Sequence, residues 1–397
     1  TNVLKYKKNK DAWKKIDILI IDEVSMMSKK ILEVLNEIGQ RVRYNNQPFG
    51  GIQLVFLGDF YQLPPVGTHE DSDTEKFCFE SSLWSNIFPK EHVVLLKTIF
   101  RQEDPKYKEI LLQVRNATLS KENEIILQKY VDRKVDKDKF NGVVPTKLYP
   151  TRAKTDYVNN NMFQKLHHEK REFQYVRKKN CKTYLETNQP LSVKDLDKCR
   201  NLSQSIVDYE TRYLLNSIRS PEILSMKVGA LVMCTMNIDL DNGICNGSQG
   251  IISEISDSEF GPIPTVVYSN GKSRQMNIHW SQSEEYPSIA IGQIPLCLAW
   301  ALTIHKIQGA TLDMAEIDIG SQIFECGQTY VALSRIRSLQ GLYLSAFNPN
   351  RIKINLRVKQ YYHEIPEHDY IIQEDDFKDS ELTEEEYDDK NIKKIVL

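Results

Sequence analysis

Apolar and polar positions along this chain of 397 residues fall into short blocks, each predicting one element. Residues 16–21 read Ile-Asp-Ile-Leu-Ile-Ile, and two acids, Asp22 and Glu23, follow at once. A run this rich in Ile and Leu predicts a strand buried on both faces, as in a parallel sheet. Its acids then fall at the carboxyl edge, where open α/β folds place their ligands. Ser28 offers a helix cap, and Ile31, Leu35, Ile38 and Val42 form one apolar helical face behind it. Gly50 and Gly51 break into a second strand over 52–57 (IQLVFL), which ends in the loop GDFYQLPPV at 58–66. Strand, helix and strand, each strand closing on a polar loop, is a βαβ rhythm. The segment 92–96 (HVVLL) predicts a third strand, leading to Phe100-Arg101-Gln102, and Asp104-Pro105 opens a helix.

The second half changes character twice. Residues 132–141 are polar and read as a linker, and 146–150 (TKLYP) as a new strand. The stretch 165–200 is rich in Lys, Arg, His and Asn with weak periodicity, which predicts an extended basic insertion or surface loop. From Gly229 come short strands (GALVMCT, GIISEI, PTVVYS) separated by Asn-Gly turns at 242–243, 246–247 and 270–271. Their spacing predicts a small β-barrel inserted in the larger fold. Around Gln293 an α/β pattern returns. QIPLCLAWA predicts a strand leading to TIHKIQGATLD, MAEIDIG a strand, GQTYVALSRIRS a helix and GLYLSAF a last strand. The expected units are 1–131, 132–229, 230–292, 293–350 and an acidic tail, 351–397.

Composition narrows the class. The chain is 41% hydrophobic and 27% charged, ordinary for a soluble protein, and no run approaches the ~20 apolar residues of a membrane span. Its seven cysteines are scattered without a CxxC pair, which predicts reduced thiols, no structural zinc and an intracellular location. The net charge of −2 hides an asymmetry. Residues 361–397 carry 13 acids against 4 bases, net −9, and the remainder 48 bases against 41 acids, net +7. A mildly basic body is compatible with a polyanionic partner.

Two buried carboxylates are costly unless a cation or a reaction uses them. Asp22 and Glu23 could therefore hold Mg²⁺ near phosphates and deprotonate water, although by themselves they are equally an acidic turn. Gln62 is a neutral amide near a strand end, able to meet a γ-phosphate or its attacking water. Arg335 closes an apolar helical stripe with Gln328, Val331 and Ala332; with Arg101 it could neutralise charge developing during phosphoryl transfer. Thr303 and Lys306 can bind backbone phosphates, and Gly309 permits close approach. His305 reads equally as a packed residue or a functional one.

The strings IIDEVSMM, FGGIQLVFLGDFYQLPPV, FRQ, LAWALTIHKIQGATLD and YVALSRIRS occur in that order over roughly residues 10–350. Together they resemble motifs II through VI of the petite-integration-frequency (Pif) DNA helicases of superfamily 1B. The resemblance implies two RecA-like parallel-sheet domains, the first N-terminally incomplete, with a small β-barrel inserted in the second and ATP between the two. It implies a monomer moving 5′ to 3′ on single-stranded DNA and opening DNA forks, with no membrane role. Carried over residue by residue, Asp22 would hold Mg²⁺ and Glu23 would be the base. Gln62 would sense the γ-phosphate, Arg101 and Arg335 would be arginine fingers, and Gly309 would lie near the nucleotide. Thr303, His305 and Lys306 would face DNA, with Phe60, Pro64 and Pro65 on the strand as well. The family's first motif, a Gly-rich loop ending in Gly-Lys-Thr/Ser, does not occur in this sequence. Hence a truncated or split protein is expected, inactive by itself and with exposed sheet edges. The competing reading is a non-hydrolysing nucleic-acid-binding protein that has lost its phosphate loop.

Overall fold

The computed structural model describes residues 7–68, 70–135, 140–218, 220–320, 323, 325–366 and 393–394. The acidic tail expected beyond 366 lies outside the described residues, apart from Lys393–Lys394. Strand β1 (Ile18–Ile21) runs parallel to β2 (Gln53–Phe56), with Lys393–Lys394 on its other edge. Between them, helix α1 (Lys29–Arg43) starts on Ser28, whose Oγ accepts from the Ile31 amide at 3.2 Å. The helix buries Leu32, Ile38 and Val42 in the same core as β1, while Ile31, expected on the apolar face, stays 39% exposed and lies outside the buried one. Gly39 has no Cβ because one would meet the Phe49 carbonyl oxygen at 2.4 Å.

Two expectations fail in this sheet. β1 is buried on one face only: Leu19 and Ile21 are covered, Ile18 and Ile20 are not. α1 shields a single side, so the Ile/Leu run marks strand propensity rather than two-sided burial. Residues 93–100 form no strand, and Leu96 is 91% exposed. An apolar run becomes a strand only where a partner edge accepts its hydrogen bonds, and neither β1 nor β2 pairs with it.

Helices α2 (Pro105–Arg115) and α3 (Lys121–Gln128) precede β3 (Thr146–Tyr149) and α4 (Arg152–Gln164). The stretch read as a basic loop contains β4 (Arg171–Gln174) and β5 (Val176–Lys178). After α5 (Gln204–Ser217) come β6 (Ile223–Met226), β7 (Leu231–Cys234), β8 (Gln249–Ser258), β9 (Gly261–Tyr268), β10 (Ser273–Gln275) and β11 (His279–Gln282). The predicted strand QIPLCLAWA divides among β12 (Ala290–Gln293), β13 (Leu296–Leu298) and β14 (Ala301–Thr303). The described fold closes with β15 (Ala315–Ile319), α6 (Gln328–Ser334), β16 (Leu342–Phe347) and α7 (Leu356–His363).

The second parallel sheet has the order β14-β3-β15-β16. The strands expected as a barrel form an antiparallel sheet, β10-β9-β8-β7-β13, beside smaller sheets β11-β12-β5 and β4-β6. The basic stretch is thus only partly loop: β4 pairs with β6 and β5 with β12, contacts of high sequence separation that local periodicity does not report. Gln249 of β8 clips this unit to the parallel sheet, donating to Thr146 Oγ1 at 2.5 Å and accepting from the Met314 amide at 3.0 Å.

The two larger hydrophobic cores cross the expected boundaries. α2 and α3, assigned to the first unit, bury Tyr107, Ile110, Leu111 and Leu127 in the second. α7, assigned to the tail, returns Val358, Tyr361 and Tyr362 to the first, against Phe60, Phe77 and Trp84. No described helix is long and apolar enough to cross a membrane.

Candidate nucleotide and nucleic-acid site

β1 ends in a forced turn. Glu23 is left-handed (φ 52°, ψ 44°), a conformation that costs a non-glycine residue about 1–3 kcal/mol. The turn is pinned by Val24 N–H donating to Leu57 O at 2.9 Å and by Glu23 N–H donating to Asp22 Oδ1 at 2.8 Å. Gly58 packs so close that a Cβ would stand 2.8 Å from the Val24 nitrogen. Asp22 is thereby left exposed, and Glu23 is turned toward the second unit, where Gln308 Nε2 donates to its Oε2 at 3.0 Å.

The loop after β2 straddles both cores: Phe60 and Tyr61 enter the first, Leu63 the second. Gln62, between them, accepts from Arg335 Nη2 at 2.7 Å through its Oε1. Arg335 is 2% exposed and its Nε has no partner. Burial and the neighbouring Arg101 draw its pKa down to about 10, against the pull of Glu23 and Tyr330. Burial also lowers Arg101, opposed by Tyr330 and Glu23; this residue keeps solvent access, which screens the effect, and it donates to Ser334 O at 3.4 Å. Gln102 fastens the same turn, donating to the Ser334 and Ile336 carbonyls at 2.8 and 3.0 Å. Gln62, Arg101, Arg335 and Glu23 therefore converge, two guanidiniums close to one carboxylate.

Asp22 and Glu23 also line one end of a cleft of about 1600 Å³ that Thr303, His305, Lys306, Gln308 and Gly309 line as well. The turn after β14 is closed by Thr303, whose carbonyl and Oγ1 both accept from the Lys306 amide, at 3.0 and 3.2 Å. That leaves Lys306 and Gly309 exposed and Thr303 buried. Burial, then Arg152, lowers the His305 pKa, so the ring is neutral at pH 7. The loop aromatics behave differently from expectation. Phe60 is 6% exposed, packed edge-on to Phe77, Phe79, Trp84 and Tyr361, and leaves no ring face for a base. Pro65 is buried too, and only Pro64 keeps partial exposure. Aromatic character in a loop cannot distinguish a stacking platform from a core anchor.

Residues 1–125 match the family model for PIF1-like helicases, and residues 214–255 the 2B domain of DNA helicase Pif1. The Pif1 helicase of Candida albicans is 30% identical, with a TM-score of 0.64 over 92% of this chain and 80% of that one. The chain belongs to the PIF1-like helicase family. The human ATP-dependent DNA helicase PIF1 is 32% identical over 355 residues, 89% of this chain and 50% of that protein. A Bacteroides Pif1 in complex with ADP-AlF4 is 26% identical with a TM-score of 0.68, over 90% of this chain and 77% of that one. The Bacteroides Pif1 bound to ssDNA is 26% identical with a TM-score of 0.55, at the same coverages. The chain spans about half the length of the curated relatives it matches. The parallel sheets and the antiparallel insertion agree with the two-domain RecA-like α/β class of these PIF1-like helicases.

Sequence reading overlooked several residues of this PIF1-like site. Gln308 stands among the polar residues of TIHKIQGATLD without a role of its own, and only tertiary structure shows it on Glu23. Arg152, Asn160 and Gln164 of α4, with Lys170 and Lys227 near β4 and β6, line the same cleft. The first three recur along one helix from Arg152, but the helix has no strong apolar stripe to set their facing.

Proposed function

We propose that this chain carries the hydrolytic and DNA-gripping residues of an ATP-dependent helicase. It would work as a monomer, move 5′ to 3′ on single-stranded DNA and open forks. One observation carries the reading: Glu23 is hydrogen-bonded to Gln308 of the cleft turn and lies within electrostatic reach of Arg101 and of Arg335, which is itself bonded to Gln62. Glu23 takes the proton of the attacking water, and Gln62 and the two arginines meet the γ-phosphate. Arg335, buried with an unpartnered Nε, is a cation in want of an anion. Among the described residues no group of three His, Cys, Asp or Glu could hold a metal. Asp22, exposed at the end of β1, is the carboxylate that would hold Mg²⁺, and the ion would neutralise phosphate charge there. Gly309, exposed on the cleft turn, is the residue we place beside the nucleotide.

Lys306, the Thr303 turn, His305 and the amide-bearing face of α4 grip the DNA backbone. Pro64 remains on the strand in this reading; Phe60 and Pro65 do not. The test is turnover of the full-length protein with single-stranded DNA. DNA should stimulate ATP hydrolysis, and Glu23→Gln should abolish it while nucleotide still binds. Wild-type turnover by Glu23→Gln would remove Glu23 as the base.

A further inference from the structure

The contact between Gln62 and Arg335 is held by a network that ties the GDFYQLPPV loop to α2 and α7, both outside the motif strings. Asp59, three residues before Gln62, accepts two parallel hydrogen bonds from Arg115 at the end of α2, Nε to Oδ2 and Nη2 to Oδ1, both 2.9 Å. From α7, the Tyr362 phenol donates to Asp59 Oδ1 at 3.3 Å and accepts from the Phe60 amide at 3.0 Å. Its ring stacks on Tyr61, 5.0 Å between centroids with 7° between planes, and the Arg115 guanidinium lies 4.3 Å from the Tyr61 centroid. Asp59 also orders its own loop, its Oδ1 accepting from the Tyr61 amide at 3.1 Å and its carbonyl from the Gln62 amide at 2.9 Å. On the far side the Tyr61 and Gln62 carbonyls press on Gly327, which precedes the helix that ends at Arg335.

We propose that Asp59, Arg115 and Tyr362 form a positioning latch by which α2 and α7 set Gln62 against Arg335. A bidentate carboxylate–guanidinium pair fixes both distance and plane, and the desolvated setting makes the pair costly to break once formed. The latch makes α7, which follows the last recognisable motif, part of the γ-phosphate sensor. Arg115 and Tyr362 act through Gln62 and are positioning residues. Their functional role rests on the reading of Gln62 above, but the latch itself has a readout that needs no turnover.

That readout is the NMR signal of the Arg335 guanidinium in the full chain, assigned by its disappearance in Arg335→Lys. In wild type the bond to Gln62 should slow Nη rotation, and Gln62→Ala should release it. Arg115→Ala should give the same release, and Arg115→Lys, which keeps charge but not the paired bonds, should restore the signal only in part. Tyr362→Phe removes one oxygen from a packed ring and should also release Arg335, which keeps the test open if Arg115→Ala does not fold. A wild-type Arg335 signal in both Arg115→Ala and Tyr362→Phe overturns the latch. In the full-length protein Arg115→Ala should cut the ATPase kcat about ten-fold with KM changed less than about two-fold, and add little to Gln62→Ala. Full additivity with Gln62→Ala would show that Arg115 acts elsewhere. A wild-type protein without ATPase would instead remove the helicase reading and leave the latch to the NMR result.

Discussion

Arg335 shows most sharply how one residue's environment sets its use. Its side chain is buried, it has one neutral partner in Gln62, and a second guanidinium stands nearby. A folded pKa of about 10, below the ordinary arginine value, means the unfolded chain holds this proton more tightly. The penalty is therefore present throughout the pH range below 10 and is relieved only as pH rises through that value. It is on the order of 3 kcal/mol. Arg335→Met should therefore raise the stability of the nucleotide-free protein by about 1–3 kcal/mol, read as a higher melting temperature. The same substitution should lower DNA-stimulated ATPase about 10³-fold or more. A variant that melts lower than wild type would show that the Gln62 bond already outweighs desolvation. Glu23 shows the complementary case, a strained backbone that aims one carboxylate at the partner unit.

Among the elements, α6 is governed by the residue before it. Gly327 has φ 78°, and a Cβ there would stand 2.4 Å from Gln62 O and 2.6 Å from Tyr61 O. Gly327→Ala should cost about 1–3 kcal/mol and push α6 off the loop, separating Arg335 from Gln62. Thermal melting together with ATPase measurement checks this, and an unchanged melting temperature would mean that the loop yields freely. QIPLCLAWA teaches a different lesson. Its residues share the largely apolar character of one strand, yet they divide among three sheets, because each sheet edge recruits only the few residues within its hydrogen-bonding reach. HVVLL has comparable character and no edge at all. Helix caps were far more legible: Ser28 and Asp104 cap as expected because the bond is made within one turn.

The whole molecule is laced together by chain segments that sit in the other unit's core. α2 and α3 pack under the second sheet, and α7 packs under the first. Truncation before α7 should uncover Phe60, Phe79 and Trp84, which now lie against Tyr361. Losing the burial of Val358, Tyr361 and Tyr362 should cost on the order of 5 kcal/mol. ANS binding with a lowered melting transition would report it; native-like melting without ANS binding would show that α7 only decorates the surface. The lacing also bears on mechanism. A cleft that opens and closes with nucleotide must move around contacts such as Arg115 on Asp59, which tie α2 of one core to the loop of the other.

By itself the sequence determined the family, the α/β class with a strand-rich insertion, and which residue types stand at the strand ends. Those features are local: a motif, a cap or a strand end is written in neighbouring letters, and its chemistry follows from residue type. What only the tertiary structure decided was who meets whom. Gln308 on Glu23, Gln62 on Arg335, Phe60 in a core rather than on a base, and α7 beneath the first sheet each join residues 270 or more positions apart, or depend on such joins. Periodicity carries no record of separations that long, because burial and hydrogen-bond partners are set by packing after the chain has closed on itself.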